Sequence, residues 1–523
     1  MKYENIWILS MASLMRIPGT IYPDRKSEKG RRPSAPQKSI KSCGQKLFER
    51  RILFTMKTKT GLPRLSLFAL AWPMLIEELT GGITSFTDTL FVSMLSDEAA
   101  ASVGMLGPVL GLGYFILPQF TAAGTSVAAQ YMGAGQDDKV KAAWSANILF
   151  STISGGLLAL FVYLVSGKIG LWLGMTEAQN AWAEAYLSVI AVNFLVVGLR
   201  NSFASILASK TLTHWNMAAS IVTNLLNIPL NWAFMTGWGI FPEWGVRGIA
   251  FATVLSFLAG TSILFILVRF KIGVLLGGRL DGQLSFRHRA KEIREAAVPI
   301  LKIGVPAALE PFSYTMQSFI VSAVLIRFGT VAMAANTYAN KYIFLDMAVS
   351  WSLTAGGQIL MSHHLGAGNI EQVRKTWWRI AAIASSFAFA VILVIYLFRG
   401  FFMSFFTSAP EILALASTLV LFSLFMEPIR SINILGGVAL KTVGDGLFSV
   451  IIALVFMWGL VPVILLAARA GYGIIGLWAC LLLDETIRAG INLWRWNSGR
   501  WTGKTVIGNT SGGAVAGASA QGE

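Results

Sequence analysis

Along the chain, long apolar stretches alternate with short polar breaks. The apolar runs fall at about 65–94, 102–131, 141–166, 183–208, 215–236 and 246–270, and again at 298–327, 335–364, 376–398, 411–439, 446–467 and 473–496. Crossing the roughly 30 Å hydrocarbon core takes about 20 apolar residues in a helix, so each run predicts one membrane span. Several runs exceed 25 residues and should tilt or protrude. Only helices and closed barrels satisfy every backbone donor and acceptor in lipid. Runs this long therefore predict an all-α integral membrane protein of twelve transmembrane helices.

The twelve runs form two sets of six that match at a nearly constant offset of 233 residues. Pro73 and Glu77 in AWPMLIEE correspond to Pro306 and Glu310 in GVPAALEP, and Gly133-Ala134-Gly135 lands on Gly366-Ala367-Gly368 without a gap. Trp144 lands on Trp377 and Lys141 on Arg374. The offset becomes 228 where Trp244-Gly245-x-x-Gly248 meets Tyr472-Gly473-x-x-Gly476. A series of this kind marks an internal duplication. Because each half holds an even number of spans, both enter the membrane from the same side, and a pseudo-two-fold axis along the membrane normal should relate them. Two like bundles around one axis leave a cleft between them, and rocking exposes that cleft to each face in turn. The predicted organisation is a basic, disordered cytoplasmic tail at 1–60, a six-helix lobe at 61–270, a cytoplasmic linker at 271–297, a second six-helix lobe at 298–501 and a short tail at 502–523.

Composition agrees: 55% of residues are hydrophobic and 13% charged, against roughly 25% charged in soluble chains. The net charge of +16 gathers at the start, where residues 1–64 hold 15 Lys/Arg and 4 Asp/Glu. Without a recognition motif this tail predicts an anionic lipid surface and no nucleic-acid partner. The remaining breaks divide unevenly: about 18 Lys/Arg on the side of the N-terminus and about five on the other. The excess of positive charge places both termini in the cytoplasm, in a multi-pass protein of the inner (plasma) membrane. The segment 1–15 does not read as a secretory signal, and Met56 is a natural start for the membrane domain. Cys43 and Cys480 define neither a disulfide framework nor a metal spacing. No phosphate-binding loop or nucleophile elbow is present, so neither an ATP-driven pump nor an enzyme is expected, and no cofactor beyond a coupling ion.

A charge near the centre of a membrane helix costs at least about 2.5–3.5 kcal/mol and therefore marks function by default. The embedded set counts nine acids, Asp346 among them, and four bases. Glu427 and Arg430 stand at i,i+3 and Asp484 and Arg488 at i,i+4, with Glu485 alongside, so these are candidates for structural pairing along their own helices. The first span differs, since it carries Glu77, Glu78 and Asp88 and no base. Asp88 follows Glu77 by eleven residues, about three turns, which returns it to the same face. A carboxylate facing a partly dehydrated cavity can take up and release a proton in the working pH range; ionised, it can hold Na⁺. Glu310-Pro311 and Glu427-Pro428 should kink their helices and free carbonyls to join the acid around a cation. The coupling-ion candidates are thus Asp88, Glu77, Glu310 and Glu427. Abundant Phe, Trp and Met can wall a site for flat cationic or aromatic compounds. The expected partners are small molecules and membrane lipids, and the expected state is a monomer.

The chain resembles the multidrug and toxic compound extrusion (MATE) transporters over about residues 62–501. The likeness rests on AWPMLIEE with SFTDTLFVSML in the first span, AAQYMGAGQ ending the second and NLLNIPLNW in the fifth. GVPAALE, LKTVGD and GIIGLWACLLLDETIRAGINLWRW continue it. The resemblance implies two six-helix lobes in a V and export of diverse, often cationic drugs by H⁺ or Na⁺ antiport. Asp88 matches the family's first-helix aspartate implicated in coupling, and Glu310 the residue of a bacterial branch. The chain departs from the family at Tyr314, where some members carry a seventh-helix glutamate, and at Arg430, where some carry an acid. The alternative is a flippase for a lipid-linked precursor.

Overall fold

The computed structural model describes residues 66–272, 286–405, 407 and 409–504. The segment 1–60 with Met56, the middle of the expected linker and the tail from 505 lie outside the described residues. Among the described residues there are twelve long helices and two short ones. The first half comprises α1 (Leu67–Leu95), the short α2 (Asp97–Gly104), α3 (Gly107–Gly133), α4 (Asp137–Trp172), α5 (Glu177–Ser209), α6 (Thr213–Thr236) and α7 (Gly245–Leu267). A π-helical turn, Val268–Ile272, prolongs α7. The second half comprises α8 (Phe286–Ile326), α9 (Thr330–Gly366), α10 (Ile370–Leu397), the short α11 (Arg399–Ser404), α12 (Pro410–Thr442), α13 (Gly446–Arg469) and α14 (Gly473–Asn497).

Eight helices are long and apolar enough to cross a membrane by length and composition, and α2 with α3 forms a bent ninth. The long helices outside the eight are α1, α3, α6 and α14. These hold much of the interior polarity: Asp88 on α1, Ser126 and Gln130 on α3, asparagines on α6, and Asp484, Glu485 and Arg488 on α14. α8 starts at Phe286, well before the expected 298, because the linker's basic end continues the helix. Neither α8 nor α12 breaks at its proline, as Pro311 and Pro428 both sit inside continuous helix. A proline deletes one backbone hydrogen bond, and in a packed bundle neighbouring groups can meet the freed carbonyls.

Packing repeats between the halves. α4 lies on α5 as α10 lies on α12, α6 on α7 as α13 on α14, and α1 on α6 as α8 on α13. Across the lobes, α3 meets α8 and α9 meets α1, while α3 and α9 meet each other near the axis. The duplicated Gly133 and Gly366 lie at that crossing. A Cβ at Gly133 would collide with the backbone carbonyl of His363, and one at Gly366 with that of Gln130. The glycines two residues on, Gly135 and Gly368, turn the chain in the left-handed region at φ 70° and 73°. Repeated Trp144 and Trp377 are both buried; Trp144 donates to Ser209 Oγ at 3.0 Å and Trp377 stacks on Trp496.

The core divides in a way that reports how the lobes join. At the end holding Gly133 and Gly366, one apolar cluster combines α3 and α4 with Ala296, Ile300 and Ile303 of α8. Its counterpart combines α9, α10 and α12 with Leu67 and Leu70 of α1. At the opposite end each cluster comes from one lobe alone. Polar contacts follow suit: Ser126 and Ser362 hydroxyls lie 2.9 Å apart, Gln130 Nε2 donates to the Thr442 carbonyl at 2.9 Å, and His363 Nε2 meets the Ser209 carbonyl at 2.9 Å. Among the described residues, the apolar clusters and hydrogen bonds that join the lobes gather at this end. Gly366→Ala should therefore destabilise the protein by about 1–3 kcal/mol through overpacking, read as a lowered thermal midpoint in detergent. Gly490→Ala, where a Cβ meets nothing within 4 Å, should not lower it; equal behaviour of the two would contradict the joint.

Candidate functional site

In the first lobe the polar interior centres on Asp88, which is 9% exposed. Asn231 Nδ2 donates to Asp88 Oδ1 and Thr253 Oγ1 to Asp88 Oδ2, each at 2.7 Å. Asn231 also donates to Asn227 Oδ1 at 3.1 Å, and Asn227 Nδ2 donates to Thr253 Oγ1 at 3.2 Å. One turn away Thr84 bonds Asn224. Three helices therefore meet at the carboxylate: α1 supplies the acid, α6 the amides and α7 the hydroxyl. Every polar group that touches Asp88 is neutral, and no base of the described residues pairs with it. The buried Asn231 Oδ1 has no hydrogen-bond partner, so an unused acceptor stands beside the acid. Carboxylate and amide oxygens gathered in this way can hold a small hard cation or share a proton.

The asparagines 224, 227 and 231 occupy i, i+3 and i+7, one stripe of α6. They are the polar letters of NLLNIPLNW. Reading the sequence by charge passed over them and over Thr253; the signal available was helical spacing of amides within an apolar run.

Glu77 is not brought to this cluster. It faces Arg200 of α5, whose Nη2 lies 3.9 Å away and also donates to Ser220 Oγ at 3.0 Å. The first span lacks a base of its own, but a neighbouring helix supplies one to Glu77. Asp88 is left without.

In the second lobe, Glu310 accepts from Lys441 Nζ at 2.6 Å, joining α8 to α12. Glu427 is held by Arg430 at 2.7 Å, and Arg488 takes Asp484 at 2.5 Å, the two pairs expected from spacing. Glu485 then links them across helices, at 3.2 Å from Arg430 and 3.1 Å from Arg488, and accepts from Asn433 at 2.8 Å. The site positions Tyr314 and Arg430 thus carry a half-exposed phenol and a committed guanidinium.

Between the lobes lies a cavity of about 160 Å³, lined by Gln119 of α3, Ala307 of α8, Trp351, Thr354 and Gln358 of α9, and Lys441 of α12. Its lining includes an indole, two amides and a threonine. Lys441 is the charged group of that lining, and Glu310 neutralises it from behind.

The MatE family model matches the chain twice, at residues 73–233 and 306–465, and the two matches start at the offset of the repeat. Among curated proteins, the uncharacterized transporter YisQ of Bacillus subtilis is 27% identical over 442 residues, covering 84% of this chain and 95% of its own. The probable multidrug resistance protein NorM of Thermotoga maritima is 25% identical, covering 85% and 94%. A crystal structure of a MATE in the bent conformation superposes with a TM-score of 0.74 at 20% identity, over 83% of this chain and 94% of that one. A MOP superfamily transporter from Pyrococcus furiosus, whose binding pocket has reverse polarity, gives 0.72 at 20% identity, over 84% and 96%. Two family matches spanning most of both lobes and one shared all-helical architecture make this chain a multi-pass membrane transporter of the MatE family.

Proposed function

We propose that the protein is a secondary active exporter of small, often cationic or aromatic compounds, driven by antiport of H⁺ or Na⁺ through alternating access. Asp88 carries this reading. A carboxylate in a bilayer-embedded bundle is expensive as a bare anion, and neutral amides and a hydroxyl ease that cost without cancelling the charge. A proton or Na⁺ cancels it. Binding and release of the cation then change the packing of α1 against α6 and α7, and α1 also touches the other lobe through α9. The coupling site thus has a mechanical route to the joint between lobes. With the termini cytoplasmic, the end at which mixed clusters join the lobes faces the cytoplasm, and the end where each cluster comes from one lobe faces outward. Release of cargo outward and uptake of the coupling ion belong to that arrangement.

The interlobe cavity suits flat compounds. Trp351 contributes an indole to the lining, Gln119 and Gln358 amides, and the Lys441–Glu310 pair leaves the wall without net charge. Multidrug resistance proteins among the relatives favour this cargo over a lipid-linked precursor. The ion is the only auxiliary species this mechanism requires.

Everted membrane vesicles supplied with a fluorescent aromatic cation in the outer solution, with a pH gradient or a Na⁺ gradient imposed separately, test the reading. One of the gradients should drive dye accumulation, and Asp88→Asn should abolish it at normal membrane expression. Dye movement indifferent to both gradients, or unaltered by Asp88→Asn, would contradict the mechanism. Glu310→Gln uncovers the Lys441 charge at the cavity wall, so it should slow efflux of a cationic dye several-fold and spare a neutral one. Adding Lys441→Gln to the same chain should restore the cationic dye; failure of that rescue would separate the pair from cargo selection.

A further inference from the structure

The charged interior of the second lobe is unequal. Apart from the pairs Lys441–Glu310 and Asp445–Arg495, one cluster sets four buried carboxylates, Asp346, Glu427, Asp484 and Glu485, against two guanidinium groups, Arg430 and Arg488. Arg430 is taken by Glu427 and Glu485, and Arg488 by Asp484 and Glu485. Asp346 is left over. It is 1% exposed, and neither of its carboxylate oxygens has a hydrogen-bond partner.

Helix register places Asp346 inside this cluster. α9 and α12 cross the bundle in the same direction, and the hydroxyls of Ser350 and Ser431 lie 2.8 Å apart. Asp346 and Glu427 each precede their serine by four residues, about one turn. Parallel helices therefore bring the two carboxylates to one level on facing sides. Contact of Arg430 with Met347 Sδ at 4.0 Å agrees with that register. Arg430 is the positive charge acting on Asp346, and Asp346 acts in turn on Glu427. From the other helices packed on α9, the charged groups are engaged or remote. Glu310 of α8 holds Lys441, and Glu77 of α1 holds Arg200, while Glu78 and Asp88 belong to the first lobe. The charges of α10, from Glu371 to Arg379, cluster at its first turns beside the fastened end, and α3 contributes none.

The duplication shows what the fold itself requires at this crossing. By the offset of 233, Asp346 corresponds to Gly113 and Glu427 to Phe194, and a Cβ on Gly113 would run into the Phe194 ring. The first lobe closes the crossing with a glycine against a phenylalanine. Two carboxylates are not a condition of folding there. The converse also holds: the counterparts of Asp88, Asn227 and Asn231 are Val321, Leu460 and Ile464, all in or against the apolar core of the second lobe. Each lobe has replaced apolar packing with a polar site at a different place.

We propose that Asp346, with Glu427 beside it, is a second cation-uptake centre of this transporter, and that its cation is a proton. Na⁺ requires several oxygen ligands at once, whereas the Asp346 oxygens meet no hydrogen-bonding group. One O–H bond on the carboxyl removes the charge without any further ligand. When the proton leaves, Arg430 is the group placed to turn from Glu427 toward the new carboxylate. The inference goes beyond the coupling role given to Asp88 and shares no residue with it.

Infrared difference spectroscopy on the purified full-length protein in lipid, stepped from acidic to alkaline pH, tests it without reference to transport. The carbonyl stretch of a protonated, poorly hydrogen-bonded carboxylic acid should be present in the wild type and in Asp88→Asn. Asp346→Asn should lose that band, and Asp346→Glu should restore it at a shifted frequency. Should the Asn variant fail to fold, the shift in Asp346→Glu alone decides the matter. Carboxylic-acid bands unchanged by both substitutions, or a band abolished by NaCl at constant pH, would overturn the proposal.

Discussion

A carboxylate enclosed by lipid-embedded helices has to meet a base, a proton or a metal cation, and the rest of this structure is arranged around how each acid meets that demand. Glu77, Glu310, Glu427, Asp484 and Glu485 find a base on their own or a neighbouring helix. Asp88 finds neutral donors, and Asp346 finds no hydrogen-bond partner. Breaking a buried pair by removing one partner is costly, so the paired acids are tied to fixed geometry. The acids without a base are the ones free to exchange a cation without dismantling the fold.

That division maps onto the duplicated architecture. Symmetric packing produces two like bundles, and glycines at the crossing let backbones meet so closely that the lobes are fastened at one end. Within this shared frame the two lobes have diverged in opposite senses. A stripe of amides faces Asp88 in the first, where the second has Leu460 and Ile464; the second sets carboxylates at a crossing that the first fills with Gly113 and Phe194. Mechanically the two places are equivalent in kind. Both lie on helices that touch the opposite lobe, α1 through α9 and α9 through α1 and α3.

Much of this was legible in the chain. The apolar runs predicted twelve long helices, and the ungapped match of Gly133 with Gly366 and Trp144 with Trp377 predicted the duplication. Pairs within a helix, such as Asp484 with Arg488, follow from spacing alone. Partners on different helices do not: nothing in the order of residues says that Arg200 turns to Glu77, or Lys441 to Glu310. Asp346 stood in the embedded set without distinction, because its isolation depends on how Arg430 is allotted in three dimensions. The amides of α6 were hidden for another reason, since an uncharged side chain hardly disturbs a reading based on charge.

The exchange proposed at Asp88 has a reciprocal consequence that a single measurement can reach. With the purified protein in liposomes and a substrate gradient as the only driving force, antiport requires that cargo running downhill push H⁺ or Na⁺ the other way. The account predicts ion movement in the wild type, read by a pH- or Na⁺-sensitive dye, and none in Asp88→Asn. Cargo that crosses in the wild type with no opposing movement of either ion would contradict it.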